Sequence, residues 1–141
     1  MAITQTVCTS FKKELLEGTH DFTQHFFKIA LYTSMANLNA DTTVYTADNE
    51  VANGNGYTTA GEDLTVVTPS SADGIGFAGF TNATWTSSSF TARGALIYNT
   101  LGGSNRAVMV LDFGDNKTSN NSTFTVAMPA SAASTALIRI T

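Results

Sequence analysis

The stretch GALIYNTLGGSNRAVMVLD, residues 94–112, constrains the fold of this chain more than any other. Two apolar runs flank adjacent glycines, the pattern of a β-hairpin with a tight primed turn. A strand pair with one side in water alternates apolar and polar side chains, because only one side is buried. Here both sides are apolar. With Gly102–Gly103 as a two-residue turn, one face pairs Ile97 with Val108, Ala95 with Val110 and Arg93 with Asp112. The other pairs Leu96 with Met109, Tyr98 with Ala107 and Gly94 with Leu111. A longer loop from Asn99 to Asn105 would shift that register. One face is expected on an opposing sheet. The second needs a cover too, either loops over a central strand pair or a neighbouring subunit. The candidate interface is therefore Leu96, Tyr98, Met109 and Leu111, or the opposite face, and Arg93 with Asp112 is the candidate structural ion pair.

Period-two alternation extends through much of the chain. FFKIALYT, DLTVVT, IGFAGF, ATWTS, FTARGALIYN, RAVMVLDF, STFTVAM and ALIRIT read as short strands between turn residues, with a possible first strand at ITQTV. Eight or nine strands at this spacing predict an antiparallel β-sandwich of jelly-roll type. One short N-terminal helix precedes them, TSFKKELLEG, with Thr9 or Ser10 as cap, Gly18 as stop, and Phe11, Leu15 and Leu16 as its docking side. Residues 34–61 are the least regular, with NLNADTT and NGNGYTTAG marking loops. At 141 residues, with no repeat and no linker, the expectation is one domain over residues 1–141.

Charged residues make up 13% of the chain, about half the usual share. The net charge of −4 and seven scattered basic residues argue against binding a phosphate backbone, so no nucleic-acid partner is expected. No apolar run approaches the ~20 residues of a membrane helix. The start, MAITQTVCTSFKK, lacks the basic and apolar regions of a secretory signal, which points to synthesis in a cytoplasm. Cys8, the single cysteine, is expected to be a buried, inert thiol.

The motifs that carry chemistry elsewhere are weak here. GIGFAG has the G-x-G-x-x-G spacing, but FTNATWTSSSF after it is no helix and the acidic residue about 20 positions on is absent, so the match is accidental. His20 and His25 lie five apart, on opposite faces of a strand and off the same-face spacing of a helix; Asp21 is placed to orient His20. No other Cys or His completes a transition-metal site, and the acidic pairs Glu62–Asp63 and Asp112–Asp115 are too sparse for calcium. No Gly-x-Ser-x-Gly elbow occurs. Neither an enzyme nor a cofactor is expected. Trp85, Tyr57 and Tyr98 offer either a sugar-stacking platform or, more plainly, packing surface.

FKKELLEGTHDF, FKIALYTS, GYTTAG, FTARGALIYN, AVMVLDFGDNKT and ALIRIT, taken in order across nearly the whole chain, resemble small virion structural proteins of tailed bacteriophages. The TARGALIYN and AV.VLDFG block is the most specific part, and NTLGGSN departs from the pattern. The resemblance implies a capsid cement or decoration protein with a jelly-roll-like fold, commonly a homotrimer. It would bind the major capsid protein on the outer surface of the virion head, after assembly in the host cytoplasm, and it implies no catalytic residue. Repeated modest contacts suit such a protein, since each needs only about 1,000 Å² and repetition supplies avidity. The acidic balance fits the outside of a shell better than contact with DNA. The alternatives are a tail- or fibre-associated virion adaptor, and a carbohydrate-binding β-sandwich module using Trp85 and Tyr57.

Overall fold

β-Branched and aromatic side chains at alternate positions favour pleated backbone, and the chain folds accordingly. In the computed structural model, which describes residues 2–141, one α-helix and ten strands follow in the order β1 (Thr6–Val7), α1 (Thr9–Leu16), β2 (Phe27–Tyr32), β3 (Glu62–Leu64), β4 (Val66–Ala72), β5 (Ile75–Phe80), β6 (Ala83–Ser88), β7 (Thr91–Asn99), β8 (Arg106–Thr118), β9 (Ser122–Val126) and β10 (Ile138–Ile140). Nine strands are legible in the sequence. The tenth arises because DLTVVT divides between β3 and β4, which enter different sheets.

The fold is mainly β, antiparallel and sandwich-like, with one short N-terminal helix. Its strands divide into sheets of five (β1-β8-β7-β2-β3), three (β10-β5-β4) and two (β6-β9), rather than the two four-stranded sheets of a jelly roll. One cluster of buried apolar side chains runs through them from Ile3 to Ile138.

The hairpin of β7 and β8 forms at the centre of the large sheet, but its turn differs from the expected one. The connection is the longer loop 100–105, built on a 3₁₀ turn at Leu101–Gly103, with Asn105 in the left-handed region at φ 50°. Tyr98 opposes Ala107 as expected; then a bulge leaves Val108 as the extra residue. Beyond it Ile97 opposes Met109, Leu96 opposes Val110, Ala95 opposes Leu111 and Gly94 opposes Asp112. A one-residue shift moves side chains to the other face. The proposed interface quartet is thereby split: Leu96 and Tyr98 lie on one face, Met109 and Leu111 on the other.

Both faces are closed within the chain, which is why β7 and β8 read as unbroken apolar runs. On the face of Leu96 and Tyr98, segment 34–61 folds across the sheet. The Tyr45 ring stacks on Tyr98 at 4.8 Å, and the Tyr98 and Tyr32 hydroxyls donate to Ala60 O and Thr46 O, each at 2.6 Å. On the other face Phe27 of β2 meets Phe22 at 4.7 Å and Phe80 of β5 at 5.6 Å, with Phe11 of α1 against Phe22. Gly61 makes the close approach of segment 34–61 possible. At φ +87° its absent Cβ would lie 1.9 Å from Ile29 O.

Helix α1 enters differently from the expected hydroxyl cap. Cys8 is the N-cap residue, without a side-chain cap, and backbone bonds hold the entry: Cys8 N–H to Val108 O at 3.0 Å and Thr9 N–H to Ala40 O at 2.9 Å. Gly18, at φ +75°, follows its end. Phe11 and Glu14 are the buried pair. Leu16, five residues after Phe11 and so about 140° round the helix, is 91% exposed rather than docked.

Candidate functional site

The loop before β2, the C-terminal half of α1 and the hairpin tip meet at one end of the large sheet, and polar side chains gather there. Asn99, the last residue of β7, pairs with Arg106, the first of β8. Asn99 Oδ1 accepts the Leu101 N–H at 3.0 Å. Its amide nitrogen therefore faces the other way and donates to both His20 Nδ1 and His25 Nδ1, each at 3.0 Å. With Nδ1 accepting, the proton of neutral His20 sits on Nε2 and is donated to Glu14 Oε1 at 2.8 Å. Glu14 Oε2 accepts from Arg106 Nη1 at 2.7 Å. Burial pushes the Glu14 carboxyl up, but the hydrogen bonds from His20 and Arg106 outweigh it and hold the group below its ordinary value.

The sequence singled out the two histidines but not what joins them. Asp21 does not orient His20. Its carboxylate accepts the Thr23 hydroxyl and N–H at 2.6 and 2.8 Å, while its own N–H donates to His25 Nδ1 at 3.1 Å. Asn99 brings the rings together from 79 and 74 residues away. Both nitrogens of buried His20 are engaged, so the cluster is a hydrogen-bonded tie between helix, loop and hairpin. Among the described residues no group of three His, Cys, Asp or Glu side chains is arranged to hold a metal ion.

A second polar centre fastens segment 34–61 to the sheet edge. Glu50 Oε1 accepts the Tyr45 hydroxyl at 2.6 Å; Oε2 accepts the Tyr57 hydroxyl at 2.5 Å and the Ala60 N–H at 2.8 Å. The Tyr57 oxygen in turn accepts the Leu31 N–H at 2.9 Å, and Leu31 O accepts from Val51 N–H, so this segment completes the edge of β2 beyond β3. Burial first, and then Glu50, push the Tyr57 and Tyr45 hydroxyls well above their ordinary pKa. No spacing rule in the sequence points to Glu50.

The candidate interface residues Leu96, Tyr98, Met109 and Leu111 are all buried inside the chain, so they offer no free surface. Leu111 does line a groove of about 550 Å³ beside β9, with Phe113, Phe124, Met128 and Leu137. Arg93 and Asp112 form an ion pair, Nε to Oδ1 at 3.3 Å, with side chains 32% and 27% exposed. Asp112 stands opposite Gly94, so the pair reaches diagonally rather than straight across.

The sugar-platform alternative meets a correction as well. Trp85 and Tyr57 are buried, with Trp85 packed against Tyr57, Phe90 and Phe124, and Tyr98 lies under Tyr45. No face of these rings stacks in solvent. Gly76 and Gly79 of the G-x-G-x-x-G match lie in β5, a strand paired on both sides, with Gly74 in the turn before it. Cys8 is fully buried, and burial followed by the Glu14 charge pushes its thiol up to about 11.

Large apolar side chains reach solvent at the hairpin-tip end, and also at Leu16, Met35 and Ile140. Phe26 is 81% exposed, and Val44 and Leu101 about half. Phe26 O accepts both the N–H and hydroxyl of Thr100, the residue before Leu101. Val44 bridges to Arg106, the first residue of β8. Comparison with family models, with curated proteins and with solved structures finds no match to this chain.

Proposed function

We propose that this chain is a virion structural protein of a tailed bacteriophage: a capsid cement or decoration subunit that trimerises and binds the major capsid protein on the outer surface of the head. The segments from FKKELLEGTHDF to ALIRIT support the class of protein. One observation supports work by surface contact: Phe26, Val44 and Leu101 are exposed at the hairpin-tip end of a body whose sheet faces are already closed. Exposed apolar groups brought together in this way are characteristic of interaction sites. In this reading the contact surface lies at the end of the hairpin instead of on its faces. A low share of charge, 13%, lowers the desolvation cost of such a contact.

The test starts with purified chain and shells stripped of it. Light scattering should give a trimer, and the chain should sediment with the shells at a fixed stoichiometry. Phe26→Ser combined with Leu101→Ser should abolish co-sedimentation without lowering the melting temperature. A monomer that ignores shells, in a phage whose finished particles lack the chain, refutes the proposal. Gold label confined to the tail selects the adaptor alternative.

A further inference from the structure

The Asn99 amide is held between groups that fix its orientation from both sides, and two of those groups are imidazoles. We propose that Asn99, His20 and His25 form an acid-released latch on the hairpin tip. The inference is independent of the virion reading. In the closed state Asn99 Oδ1 takes the Leu101 N–H, and Nδ2 gives its two hydrogens to the Nδ1 atoms of the two rings. His20 already carries a proton on Nε2, bound by Glu14. A second proton, drawn from solvent, goes to Nδ1 and turns that acceptor into a donor facing a donor. A half-turn of the amide restores a hydrogen bond to the ring, but then presents Nδ2 to the Leu101 N–H. In either orientation at least one hydrogen bond is lost.

His25 works in the same sense, because its Nδ1 accepts from both Asn99 and the Asp21 N–H. The surrounding charges come from every neighbouring element. Glu14 of α1 faces His20, with Arg106 of β8 on its second oxygen. Asp21 lies on the His25 side, and Asp63 of β3, paired with Lys28 of β2, lines the same cleft as His25. The Phe11 ring, 4.7 Å from that of His20, closes the apolar side. Releasing Leu101 frees a tip otherwise fastened through Thr100 to Phe26 O. The latch therefore sets how Leu101 is presented beside Phe26.

Amide hydrogen exchange, expressed as protection factors, tests this in the intact chain. On acidification from about pH 7.5 to about pH 5.5, protection at Leu101 should fall about tenfold, the effect of one hydrogen bond. Protection at Ile97 should hold. Asn99→Asp presents only acceptors, so in that variant acidification should raise Leu101 protection. If Asn99→Asp does not fold, His20→Gln with His25→Gln should make the Leu101 profile flat. Constant Leu101 protection in the native chain, a matching fall at Ile97, or a histidine-free variant that still loosens at acid pH overturns the latch.

Discussion

Removing the Glu50 carboxylate should detach the cover from one face of the large sheet. Glu50→Ala takes the acceptor from three donors at once, the Tyr45 and Tyr57 hydroxyls and the Ala60 N–H. Tyr57 is buried, and its hydroxyl keeps only the hydrogen bond that it accepts from Leu31. Hydrogen bonds to a charged acceptor contribute about 1.5–3 kcal/mol each, and orphaned buried donors add a penalty. Water reaching half-buried Tyr45 offsets part of that loss, which leaves a cost of roughly 3–5 kcal/mol. Glu50→Gln retains one carbonyl for Tyr57 and Ala60, so its cost should be only about 1 kcal/mol. Urea unfolding of the three proteins, followed by fluorescence of Trp85, measures both numbers. The alanine variant should also ionise its tyrosines at lower pH in an alkaline absorbance titration, since Glu50 is one cause of their raised values. A Glu50→Ala protein within about 0.5 kcal/mol of the native one would refute the claim that this carboxylate anchors segment 34–61.

Asp112→Ala should destabilise the chain by about 1 kcal/mol, because it removes a partly solvated ion pair and the acceptor for the Gly114 N–H. Unchanged melting would remove Arg93–Asp112 from the account of stability. Gly61→Ala should cost more than ~3 kcal/mol, since its Cβ would meet Ile29 O at a positive φ; soluble protein with native melting would show that the approach relaxes easily. Cys8, buried with its thiol pushed up to about 11, should react with an aromatic disulfide reagent only on unfolding. Stoichiometric labelling of the folded chain at neutral pH would contradict that.

Local pattern was enough to reveal the strands and the helix, because each rests on a period of two or about 3.6 residues that neighbouring positions carry among themselves. The hairpin was legible for the same reason, and so was the need for a second cover over it. The bulge at Val108 was not. It depends on how loop 100–105 closes, and two glycines are compatible with more than one turn. The identity of the cover was equally hidden, since segment 34–61 has no periodicity and is fastened by Glu50 and four tyrosines acting across the sheet. The histidines stood out as residues, but their meeting at Asn99 is a contact between distant parts of the chain. Alternation along a strand reports that a face is buried, whereas the tertiary packing alone decides what buries it. The apolar hairpin therefore fitted a subunit contact and an internal cover equally well until segment 34–61 was seen to lie across it.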